Sequence, residues 1–323
     1  MERFHRRPVS NGIVIRSDYH LNDGGVRMQT VKSVFIVAGK ILLSAAIIIL
    51  LVLIGFLIYA AVQLMAGRSA DDVLSYTSIS LSQMSIQGFA FIIGTLIMYA
   101  AFDRKHGWSL GLKQQKPFRL AVEGLAAGIL LMTVSALLIW LCGGVSFNSV
   151  TFDNTVLASM SSGVLLFTIV SVNEELFSRG YLQGLIKHHF GGTAAIIVPS
   201  LLFAALHLQN NNVLDNPLPL LNLFLAGIVL AVSREWSGGL WMPIGLHLTW
   251  NYFQGYVYGF EVSGNKVDSL IHLTREGSDT ISGGAFGAEG SLLTTLVLLA
   301  GTFAIMRYYR TPKLPVSGEP KRQ

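Results

Sequence analysis

Apolar residues arrive in this chain as long blocks separated by short polar segments, and the blocks set the architecture. Eight of them stand out, at residues 34–65, 83–102, 118–142, 156–190, 193–208, 218–232, 240–260 and 292–308. Most have the length a helix needs to cross a hydrocarbon core, about 20 residues at about 1.5 Å each. The blocks lack the two-residue alternation of barrel strands, and in lipid only helices and closed barrels satisfy their backbone groups internally. The pattern therefore predicts an all-α, polytopic transmembrane helical bundle of about eight membrane spans. The first block begins too far from the N-terminus, and runs too long, to be a cleaved signal peptide. The block 156–190 would be ~50 Å long as one straight helix, so it is expected to bend or to project beyond the bilayer.

Composition sharpens this picture. Of 323 residues, 52% are hydrophobic and 13% charged, and the mean hydropathy is +0.55. A soluble domain carries roughly 25% charged residues, so lipid replaces water over much of this surface.

The net charge of +5 follows membrane orientation rather than a nucleic-acid partner. With the N-terminus in the cytoplasm, Arg3, Arg6, Arg7, Arg16, Arg27 and Lys32 lie inside. Arg104, Lys105, Lys113, Lys116 and Arg119 fall in the second inside segment. Arg307, Arg310, Lys313, Lys321 and Arg322 fall at the C-terminus. The expected outside segments hold only Arg68, Lys266 and Arg275. That bias is the positive-inside rule, and it places both termini in the cytoplasm for an even number of spans. The single cysteine, Cys142, excludes an internal disulfide and a thiolate metal cluster. It is expected near the outer end of the third span. Segments 143–155 and 261–290 read as outside loops, and residues from 311 onward as a disordered tail.

Ionisable groups inside a membrane helix are costly and mark function by default. Lys40 is expected to snorkel to a helix end, and Glu123 to lie solvated near the cytoplasmic side. The fourth, fifth and seventh spans differ. Glu174 and Glu175 sit side by side, with Arg179 four residues after Glu175. His207 ends the fifth span, and His247 precedes Asn251 by four residues in the seventh. Four-residue spacing shares a helix face, so Glu175 and Arg179 are expected to pair, leaving Glu174, ~100° round the helix, free for another partner. A reversal at Gly191-Gly192 brings Glu174 and His207 to one depth, since they stand 17 residues before and 16 after Gly191. A carboxylate and a histidine around one water form a general base, and a second histidine with an amide offers an oxyanion site. The same Glu174, His207 and His247 are alternatively zinc ligands, although the absence of an H-E-x-x-H run excludes a zincin site. The cofactor is therefore either zinc or none. A third reading makes these groups plain interhelical glue. A transporter relay is less favoured because no internal repeat is visible.

Glu-Glu-x-x-x-Arg at 174–179, Phe-x-x-x-His at 203–207 and His-x-x-x-Asn at 247–251 resemble the CAAX protease and bacteriocin-processing (CPBP, or Abi) family of intramembrane peptidases. The resemblance covers roughly residues 118–260. It implies an intramembrane endopeptidase in which Glu174, with His207, activates water, while His247 and Asn251 hold the oxyanion and Glu175 and Arg179 support the site. It implies a membrane-embedded or lipidated (CAAX-like) peptide substrate and a bacterial inner-membrane location. A non-catalytic scaffold or bacteriocin-immunity protein of the same architecture is the alternative. The expected organisation is a cytoplasmic tail (1–32), two spans with a basic cytoplasmic loop (33–117) and the catalytic helical core (118–260). An outside loop with the last span (261–310) and a basic cytoplasmic tail (311–323) complete it.

Overall fold

The computed structural model describes residues 23–74 and 81–310. Arg3, Arg6, Arg7, Arg16, Lys313, Lys321 and Arg322 lie outside the described residues. The chain is an integral membrane protein built as a polytopic helical bundle. Helix α1 (Asp23–Met65) is followed by the short α2 (Ala70–Leu74) and by α3 (Leu81–Met98), which ends in a π-helical turn, Tyr99–Asp103. Helix α4 (Pro117–Leu141) leads to strand β1 (Val145–Val150). Helix α5 (Asn154–Glu175) continues through a π-helical segment, Leu176–Leu182, into α6 (Gln183–Leu206). Then come α7 (Leu218–Ser237), α8 (Trp241–Tyr252) with a π-helical end at Phe253–Val257, β2 (Ile271–Arg275), α9 (Asp279–Ser282) and α10 (Leu292–Arg310).

Every expected span has a helix. Six stretches among the described residues are long and apolar enough to cross a membrane, and one of them, Asn154–Leu206, joins two expected spans. That stretch breaks at Gly191, whose φ of 82° is open to glycine. The chain doubles back there: Arg179 and Phe203, each 12 residues from Gly191, stack with the guanidinium carbon 4.4 Å from the ring centre. Helix α8 with its π-helical end is shorter than the six, although it packs inside the bundle.

Three expectations are corrected. Residues 23–32 are not tail but the first turns of α1, because nothing from Val26 to Lys32 breaks a helix. Segments 143–155 and 261–290 each carry a strand: β1 and β2 pair antiparallel from Val145↔Arg275 to Val150↔Ile271, which puts both segments at one end of the bundle. Lys40 does not snorkel and Glu123 is not merely solvated. Lys40 Nζ lies 2.6 Å from Asp103 Oδ1, and Asp103 is almost fully buried. Glu123 accepts from Arg119 Nε at 2.8 Å and from the hydroxyls of Tyr308 and Tyr309. Cys142 follows α4 as expected and is exposed.

One helix pair positions the site more than any other. Gly124 and Gly128 of α4 face α8 so closely that a Cβ would come within 2.1 Å of the Met242 carbonyl and 2.3 Å of the Leu246 carbonyl. Gly245 of α8 answers, with the Ala121 carbonyl 2.5 Å from where its Cβ would stand. Thr249 Oγ1 donates to the Leu125 carbonyl at 2.9 Å. In lipid, helices associate through such close packing and interhelical hydrogen bonds rather than through burial from water. With Gly245 and Thr249 turned to α4, the rotation of α8 is set. His247 and Asn251, about 200° from Gly245 and Thr249 respectively, are thereby turned the other way.

Candidate active site

Glu175 is fully buried and sits at the centre of a three-residue chain. Its Oε1 accepts from Arg179 Nη1 at 3.0 Å and from His247 Nδ1 at 2.9 Å. Arg179, also fully buried, donates its Nη2 to the Gly227 carbonyl of α7 at 3.3 Å and rests on Phe203. The expected ion pair is present, and it reaches further than its four-residue spacing indicated: it grips α8 through His247. A carboxylate can only accept from the ring, so Nδ1 carries a proton and Nε2 faces away.

That Nε2 lies 4.0 Å from Glu174 Oε2, too far for a direct hydrogen bond. Glu174 has 29% of its side chain exposed, against none for Glu175. Adjacent glutamates thus diverge, one locked to protein and the other facing open space. His207 caps the end of α6 with Nδ1 2.8 Å from the Phe203 carbonyl. A carbonyl only accepts, so Nδ1 again carries the proton and Nε2 keeps its lone pair. Phe203 is the hub between the imidazoles, with ring centres 4.7 Å from His207 and 6.1 Å from His247.

Glu174, His207, His247 and Asn251 all line one cavity of about 290 Å³. Its walls are largely apolar, including Leu131, Phe167, Val170, Leu230 and Leu298. Among the described residues the Asn251 amide takes no protein hydrogen-bond partner, so it stands free to meet a ligand. All four side chains thus line the same cavity, and Glu175 adds a bond to His247. Those two residues are 72 apart in sequence, and no local spacing signals their contact.

The residues do not fit a zinc site. Among the described residues no group of three or more His, Cys, Asp or Glu side chains is disposed to hold a metal ion. Glu174, His207 and His247 share a cavity without converging as ligands.

Residues 156–253 match the family model described as Rce1-like, "Type II CAAX prenyl endopeptidase Rce1-like". A protein of Escherichia coli described as "Uncharacterized 24.3 kDa protein" is 35% identical to this chain over 85 residues. The shared stretch is 26% of this chain and 37% of that protein, so the chain spans little more than a third of the relative's length. The matched family segment contains Glu174, Glu175, Arg179, His207, His247 and Asn251.

Proposed function

Starting from the match of residues 156–253 to the Rce1-like type II CAAX prenyl endopeptidase model, we propose that this protein hydrolyses a peptide bond in a membrane-associated or lipidated peptide. The observation that carries the reading is the cavity itself. Four polar side chains from three helices line it, and Glu174 and Asn251 are not engaged by protein hydrogen bonds.

The roles follow from which atoms are free. Glu174, partly exposed and unbonded, takes a proton from a water held in the cavity, and His207 Nε2 accepts the water's other hydrogen. The oxygen adds to the scissile carbonyl carbon as the C=O pair moves onto oxygen. That oxyanion is met by the Asn251 amide and, when His247 is protonated at both nitrogens, by its Nε2–H. The oxyanion pair then re-forms C=O as the C–N bond breaks and the Glu174 proton passes to the leaving nitrogen, giving an amine and a carboxylic acid that releases its proton to water. A positioned general base contributes about 10²–10⁴ in rate, and one oxyanion donor about 10²–10³. Glu175 and Arg179 touch no substrate in this scheme. They hold His247 in one tautomer and one rotation. No step runs through a metal.

The apolar walls suit a peptide delivered from the bilayer. Basic residues near the termini and in the loop 104–116 support an inner-membrane protein with both ends in the cytoplasm. The test is hydrolysis of quenched membrane peptides by purified protein in liposomes. Glu174→Gln is expected to lower turnover by about 10³ with an unchanged melting temperature. Equal turnover in the variant would remove the mechanism.

A further inference from the structure

The cavity holds a second carboxylate that the mechanism does not use. Glu289 lies in the turn Ala288–Gly290 before α10, is 6% exposed, and lines the same cavity as Glu174. It is fixed from two directions. Asn222 of α7 donates Nδ2 to the Glu289 carbonyl at 2.7 Å, and Asn222 is itself held by Thr295 Oγ1 at 2.7 Å. The Glu289 side chain takes both donors of Ser263 on a single oxygen: Oε2 is 2.9 Å from the Ser263 amide and 2.8 Å from its hydroxyl. Ser263 holds a left-handed backbone, φ 48°, to present them. That conformation is costly for a residue with a Cβ and persists only where surroundings impose it. The Ser263 carbonyl is tied to Asn210 at 3.0 Å.

The other oxygen, Oε1, has no protein donor, and among the described residues no Lys, Arg or His pairs with Glu289. Arg275, one of the few cations at this end, lies 3.9 Å from Glu261 instead. The cavity lining contains two carboxylates, the imidazoles of His207 and His247, neutral amides and hydroxyls and apolar side chains, with no Lys or Arg. Bracing the 261–290 loop needs only one acceptor, which a glutamine supplies without burying a charge. Removing a carboxylate from water costs several kcal/mol unless a cation offsets it. A positive group on the ligand supplies that offset.

We propose that Glu289 is a specificity residue whose free oxygen receives the ammonium or guanidinium of a Lys or Arg side chain in the peptide cleaved at Glu174. The nature of the ligand rests on the peptidase reading, whereas the cation preference rests on the cavity's own charges. Ser263 pre-orients the carboxylate, so no rotamer has to be selected when the cation arrives.

The test uses the full-length protein in liposomes and a panel of membrane-inserted peptides, each carrying one Lys or the uncharged norleucine, walked along the sequence. At one position the Lys peptide is expected to exceed its norleucine twin by at least about ten-fold in kcat/KM. Glu289→Gln, which can still accept from Ser263, should abolish that preference, bringing the Lys peptide's kcat/KM down to that of its norleucine twin. Equal cleavage of every pair by the wild type, or a Lys preference that survives Glu289→Gln, would overturn the proposal. The wild-type comparison needs no variant, so a folding defect does not shield it. Anisotropy with the inert Glu174→Gln protein separates the two readings. Lys-dependent binding lost on adding Glu289→Gln, with no hydrolysis of any peptide by the wild type, keeps the cation site and removes the peptidase. Hydrolysis without Lys preference does the reverse.

Discussion

Asp103 and Glu174 are both acids within apolar helices, and their surroundings differ completely. Asp103 is 1% exposed and spends its oxygens on protein: Lys40 Nζ lies at 2.6 Å, Tyr181 OH at 3.1 Å and His106 Nδ1 at 3.8 Å. This cluster joins α1, the end of α3 and the π-helical segment after Glu175. Glu174 is 29% exposed, lies 4.0 Å from His247 with no direct hydrogen bond among the described residues, and opens onto a cavity. A charge in a membrane helix is thus a weak sign of chemistry by itself. What separates the acid proposed to react from the structural one is a polar atom facing open space instead of a partner. Glu175 belongs with Asp103 by that criterion, although it adjoins Glu174.

Substitutions can break this division or sharpen it. The largest effect on turnover beyond Glu174 itself is expected for His247→Ala, which deletes an oxyanion donor and should lower kcat by about 10²–10³. A fall of less than three-fold, read in liposome kinetics, would place His247 with the structural group. Arg179→Met should act on stability instead. It leaves Glu175 buried with one partner fewer, a loss of about 3–5 kcal/mol visible as a lower melting temperature in detergent. A folded Arg179→Met protein with normal stability would mean that the Glu175–Arg179 pair does not anchor the bundle. Lys40→Met should cost less, about 1–3 kcal/mol, because Asp103 keeps Tyr181 and His106. Turnover per folded molecule should stay at the wild-type level. Lost turnover at normal stability would make the Asp103 cluster part of the chemistry.

The residues of the site were readable in the sequence because local rules govern them. Four-residue spacing exposed Glu175 with Arg179 and His247 with Asn251, and the Gly191-Gly192 pair marked the reversal between Glu174 and His207. Long-range pairings were not readable. Lys40 meets Asp103 across 63 residues and Glu175 meets His247 across 72, and nothing in either neighbourhood names the other. Pairing of segments 143–155 and 261–290 through β1 and β2 was hidden for the same reason, their strands being only five or six residues long. The α4–α8 contact was closer to reach. Gly124-x-x-x-Gly128 carries the small-residue spacing that lets membrane helices approach, and weighing it would have predicted which face of α8 is free.

The most direct measurement is a comparison of peptide termini in membranes from cells that hold equal amounts of folded wild-type protein or Glu174→Gln. If Glu174 activates water in this cavity, at least one membrane-protein terminus appears with the wild type and is absent with the variant. Identical sets of termini from the two membranes would contradict it.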